Sequence, residues 1–138
     1  FDVVFAPEKP DGKAQWRPVT APAGGRPGLI EFDKVIGGDN RVAYLRTQIT
    51  SEQEQEARLE MGSDDGIKAW LNGKVVHANN ATRPNSPNQD KAKVKLKQGA
   101  NTLLLKVTQG GGEWTACCRL RAADGNELAG VTIAPKAE

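Results

Sequence analysis

The sequence predicts an all-β chain, an antiparallel sandwich or barrel of about nine or ten strands. Three observations predict it. Apolar and polar residues alternate with period two from end to end. Clusters of Gly, Asn and Asp punctuate the chain at intervals of about 8–12 residues. No window carries a sustained helical period with caps.

Taken in order, Ile30 and Phe32 suggest a first strand. Ala43, Leu45, Thr47 and Ile49 then alternate against Val42, Tyr44, Arg46 and Gln48, after the turn cluster Gly37-Gly38-Asp39-Asn40. The run Ser51 to Glu56 is helix-friendly but short, and it has no apolar face. Ala57, Leu59 and Met61 alternate against Arg58 and Glu60. Asp64-Asp65-Gly66 closes a turn, and Ile67, Ala69 and Leu71 take one face of the next strand, with Lys68, Trp70 and Asn72 on the other. Asn72-Gly73 closes a hairpin, because both residues tolerate the positive φ of a type I′ turn. A polar loop of Asn, Pro, Ser and Gln runs from Ala78 to Asp90. From Lys91 to Lys97 every odd residue is lysine and every even one apolar, the pattern of a strand with one wet face. The lysine row also discourages edge-to-edge pairing. After the Gln98–Asn101 turn, Leu103, Leu105 and Val107 alternate, while Leu104 marks a strand covered on both faces. Gly110-Gly111-Gly112 leads to Ala116, Cys118 and Leu120 against Cys117, Arg119 and Arg121. Leu128, Val131 and Ile133 close the series after the Asp124-Gly125-Asn126 turn.

The length of 138 residues suits a single domain, 1–138, able to bury a core without disulfides. With 19 basic and 17 acidic residues the net charge is +2, which supplies no basic stripe for nucleic acid and no attraction to a membrane surface. No apolar run approaches the length of a membrane span. The start, Phe1 to Phe5, lacks the basic region and cleavage site of a signal peptide, so the expectation is a domain of a larger protein. Cys117 and Cys118 are neighbours on a strand. One is expected in the core and the other outside with Arg119 and Arg121, and their spacing is not that of a metal site.

The runs GSDDGIKAWLNGKVV, VKLKQGANTLLLKVTQGGGEW and RLRAADG, within Arg41 to Gly125, resemble the galactose-binding-like jelly-roll modules of bacterial secreted and surface proteins. The resemblance implies an antiparallel β-sandwich of jelly-roll type. It implies a non-catalytic carbohydrate-binding module that anchors covalently linked neighbouring domains to oligo- or polysaccharide. The location it implies is extracellular, cell-surface or periplasmic. Other modules of this kind are plain spacer domains, so a structural or interaction role stands beside sugar binding. Ser-Asp-Asp-Gly, followed by a Trp and an Asn-Gly-Lys turn, is also similar to the protective-antigen and flocculin type of adhesin module. That likeness implies a calcium ion (Ca2+) held by Asp64 and Asp65. The segment Gln55 to Glu60 departs from that second family's glycine- and tyrosine-rich lead-in.

Candidate site residues follow from side-chain chemistry. Trp114, after three glycines, is placed to present a flat ring to a sugar face, or else to anchor its loop in the core. Trp70 faces a ligand or packs on the sheet's second face, and Trp16 is expected to pack. Asn79, Asn80 and Arg83 of the polar loop, with Asp65, supply hydrogen bonds for hydroxyls. Asp64 and Asp65 offer hard oxygens to calcium, or simply make a turn. The single histidine, His77, sits at the end of the hairpin beside the polar loop, and a lone histidine is more often a solvated or satisfied residue than a ligand or base. There is no nucleophile elbow and no phosphate-cradling loop, and the adjacent pair Asp64 and Asp65 would not flank a glycosidic bond. The expectation is therefore a protein that is not an enzyme.

Overall fold

The computed structural model of the chain describes residues 1–20 and 28–135. Among these, nine strands form two antiparallel sheets packed as a sandwich. The strands are β1 (Leu29–Glu31), β2 (Arg41–Ser51), β3 (Gln55–Asp64), β4 (Ile67–Leu71), β5 (Lys74–Asn79), β6 (Asp90–Leu96), β7 (Gly99–Gln109), β8 (Thr115–Ala122) and β9 (Val131–Pro135). One sheet runs β1-β8-β3-β6 and the other β5-β4-β7-β2-β9. Every connection except β4 to β5 passes from one sheet to the other, the winding expected of a jelly roll.

The alternation decides which face of each strand is buried. Leu59 stands opposite Leu120 and Ala92 in the four-stranded sheet. Leu105 stands opposite Leu45 and Ala69 in the five-stranded one. These inward residues, with Ile49, Met61, Ile67, Leu96, Leu103 and Val107, make one continuous core. Each large aliphatic side chain there contributes about 1.5–3 kcal/mol on burial. The lysines of β6 point to water while Ala92, Val94 and Leu96 point in, and β6 is an outer strand of its sheet. The Asn72-Gly73 hairpin has φ of 51° and 80°, as a type I′ turn demands.

Two elements differ from expectation. Phe32 does not continue the first strand: Phe32–Val35 form a single helical turn, α1, and the Phe32 ring is buried against Trp114 at 5.2 Å between centroids. Cys117 points away from the core, yet it is buried. The 80–89 loop folds over it, with Asn85 Oδ1 3.6 Å from its Sγ. Gly62, opposite Cys117 in the sheet, lets that loop approach, because a Cβ there would meet the Ser86 carbonyl oxygen at 2.0 Å. Cys118 is the inward one and is part-buried, and both thiols are free.

The outer face of the five-stranded sheet is partly covered as well. The N-terminal segment lies across part of it, which accounts for Lys106, only 1% exposed in the middle of β7. Lys106 Nζ donates to the Val3 carbonyl at 2.6 Å and to Glu8 Oε1 at 2.7 Å, and the Tyr44 hydroxyl donates to the same carboxylate oxygen. Further along the segment, the Trp16 ring lies 4.3 Å from the Arg46 guanidinium carbon.

Candidate functional site

Asp64, Asp65, Asn79 and Arg83, four of the residues that the sequence singles out, lie at one end of the sandwich. The Asp65-Gly66 connection between β3 and β4, the 80–89 loop and the Gly110–Glu113 loop all lie there. Asp65 joins the two loops. Its Oδ1 accepts the Arg83 backbone N–H at 3.0 Å and its Oδ2 accepts the Gly110 N–H at 2.9 Å. An aspartate between two strands serves here as the tie between two loops that the chain places far apart in sequence.

Arg83 is the second tie. Its Nε donates to the Ser63 carbonyl at 3.3 Å and its Nη2 to Ser63 Oγ at 3.0 Å. Its guanidinium also pairs with the buried Asp90 carboxylate, through Nη2 to Oδ2 and through Nη1 to Oδ1 at 3.4 Å. Asn79 Nδ2 donates to Asp90 Oδ1 at 3.1 Å, and His77 Nε2 lies 3.4 Å from the same oxygen. Burial alone raises the pKa of Asp90, but the hydrogen bonds from Arg83 and Asn79 outweigh it and hold the carboxyl below its ordinary range. Sequence reasoning placed Asn79 and Arg83 in the loop but gave them hydroxyls to bind. Their donors are instead turned inward on Asp90 and Ser63. Asn80 stays exposed.

Trp114 corrects the expectation of a stacking platform. It is 0% exposed, packed on Phe32 under α1. Its carbonyl accepts the Phe32 N–H at 2.8 Å. The glycine run turns the chain back on itself rather than lifting the ring out: Gly112 sits at φ +82°, and Gln109 Nε2 donates to its carbonyl at 2.9 Å. Trp70 is part-buried on the outer face of the five-stranded sheet, beside Val75 and Leu104, with the Lys68 ammonium 5.4 Å from its ring. It lies along β4 from the rim, so it does not join the other candidates. Trp16 is part-buried over Arg46, in a packing role.

Asp64 stands among other carboxylates at the rim rather than beside a cation. Burial, then the charges of Asp65 and Glu113, push it up from 3.8 to about 6. Among the described residues no group of three or more His, Cys, Asp or Glu side chains is arranged to hold a metal ion. Both oxygens of Asp65 face backbone N–H groups. The pair thus offers calcium two carboxylates already bonded to each other or to loop backbone, against the six to eight oxygens the ion takes. These residues as arranged do not fit that ion.

An apolar concavity lies away from this rim. A cavity of about 650 Å³ sits between the sheets and opens beside β2, lined by Leu45, Leu59, Leu105 and Leu120 among others. The register explains the opening: β9 pairs with β2 only along Thr47–Ser51, so the first half of β2 has no neighbour on that side among the described residues. Trp16 to Val19 and Arg46 form its mouth. Of the proline-rich stretch from Pro18 to Pro27, residues 21–27 lie outside the described residues. No family model, curated protein or solved structure matches the chain, so the likeness to galactose-binding-like modules rests on the residues that carry it.

Proposed function

We propose that this chain is a non-catalytic structural and interaction module of a larger secreted or surface protein. Its role is to hold covalently linked neighbouring domains in fixed relation. One observation carries the reading. The polar groups that would read sugar hydroxyls at the rim, those of Asp65, Arg83 and Asn79, are spent on Gly110, Ser63, Asp90 and the loop backbone. A ligand hydroxyl would have to displace bonds already made, for little net gain. A rim locked this way resists deformation, which suits a spacer.

Carbohydrate recognition is the second reading, and Trp70 is the observation that favours it. Its ring is part-exposed on a sheet face with Val75, itself 47% exposed, beside it. The test is a glycan array and a polysaccharide affinity gel with the wild-type chain, Asn80→Ala and Trp70→Ala. Absence of retention fits the structural role. Retention lost in Trp70→Ala, at unchanged melting temperature, moves the assignment to sugar binding on the sheet face.

A further inference from the structure

We infer that the cavity between the sheets is a binding site for an amphiphile with an acyl body and a carboxylate head. This goes beyond the structural role and does not depend on it. The inner wall is aliphatic: Ile30, Leu45, Leu59, Leu103, Leu105 and Leu120. Three of these, Ile30, Leu45 and Leu120, are only part-buried although they point between the sheets. The volume of about 650 Å³ falls within the range of small-ligand pockets. Filled with water it would hold on the order of 20 molecules with few polar partners on the walls, which is unfavourable beside an apolar guest.

The mouth supplies the head-group chemistry. Arg46 lines the cavity, and its Nη2 is out of solvent with no hydrogen-bond partner among the described residues. Trp16 covers one face of the guanidinium, which holds the group in place. Leaving a guanidinium N–H buried and unpaired forfeits its hydration with nothing in return. A carboxylate oxygen removes that cost and gains a charge-assisted bond. Arg17, the other cation at the mouth, already donates to the Val35 carbonyl at 2.6 Å. The site therefore selects one anionic head with an apolar tail, and flexible acyl chains conform best to walls of leucine and isoleucine.

The experiment is calorimetric titration with dodecanoate, dodecanol and acetate below micelle formation, on the wild-type chain, Arg46→Met and Leu120→Phe. Circular dichroism and melting curves establish that each variant is folded. Wild type is expected to bind dodecanoate with one site and not to bind acetate. Arg46→Met is expected to weaken dodecanoate by about tenfold while leaving dodecanol unchanged, the loss of one charge-assisted bond. Leu120→Phe, which fills the cavity, is expected to weaken both. No binding of dodecanoate, binding indifferent to Leu120→Phe, or equal binding of dodecanoate to wild type and Arg46→Met overturns the inference. None of these outcomes bears on glycan retention, so this inference and the structural role fail separately.

Discussion

Lys106 and Glu8, 98 residues apart, form an ion pair in which neither side chain is more than 8% exposed. The pair fastens the N-terminal segment to the outer face of the five-stranded sheet, with Tyr44 as a third member. Burial raises and the bonds from Lys106 and Tyr44 lower the pKa of Glu8, and the net direction is down. Removing one partner leaves the other charge buried and uncompensated. Lys106→Met is expected to destabilise the chain by about 3 kcal/mol, read as a shift of the urea midpoint. The same variant should raise hydrogen exchange and proteolysis within residues 1–16 more than in the core strands. Uniform loosening of the whole sandwich would contradict the fastening role.

Arg83 is expected to matter for the rim rather than for any ligand. Arg83→Ala leaves Asp90 buried without its cation, and a loss of about 2–4 kcal/mol follows. Because Asp90 is held below its ordinary range, this part of the stability is present above the usual carboxylate value and is lost as the pH falls from there through the lowered value of the folded chain. The gap between wild type and Arg83→Ala should therefore shrink in acid. A gap that stays constant from pH 7 to pH 3 would rule out the Arg83–Asp90 pair as its source.

Asp64 has the opposite sign. Its carboxyl is raised from 3.8 to about 6 in the folded chain. The folded state then binds a proton that the unfolded state has released, so Asp64 costs stability as the pH rises from about 4 to about 6. Such a change is worth about 3 kcal/mol in a dry site and about 1 kcal/mol here, where the side chain is part-exposed. Asp64→Asn is expected to stabilise the chain by that amount at pH 7 and to match wild type below pH 3.8. Calcium and chelator should both leave the wild-type melting temperature unmoved. A rise with calcium that vanishes in Asp64→Asn would restore the metal reading.

Trp114 is expected to behave as a core residue. Trp114→Ala should cost about 3–5 kcal/mol through the cavity it opens, and Trp114→Phe distinctly less. A fully folded Trp114→Ala with unchanged melting temperature would contradict its burial against Phe32.

Much of the scaffold was legible in the sequence because period-two alternation reports directly on which face of a strand is wet. Lys91 to Lys97 and the Asn72-Gly73 turn needed nothing beyond local chemistry. The rim was legible in part: the polar loop and the Gly110–Glu113 loop do meet, at Asp65. What local pattern does not carry is direction and partner. A glycine run says that the chain bends freely, not whether Trp114 is thrown outward or folded under α1. The donors of Arg83 were plain, but their acceptor, Asp90, is fixed by how the loop closes. Cys117 follows strand alternation faithfully and is buried only because a loop crosses it. The one local clue to the partly covered outer face was Leu104 beside Lys106, and the partner of that lysine, Glu8, lies at the far end of the chain.

The most direct measurement on the central claim is an amide chemical-shift titration of the purified chain with mixed oligosaccharides at millimolar concentration. The closed rim predicts that the amides of 79–90 and 110–115 stay where they are throughout. Saturable movement of those same amides, centred on Arg83 and Gly110, would contradict it.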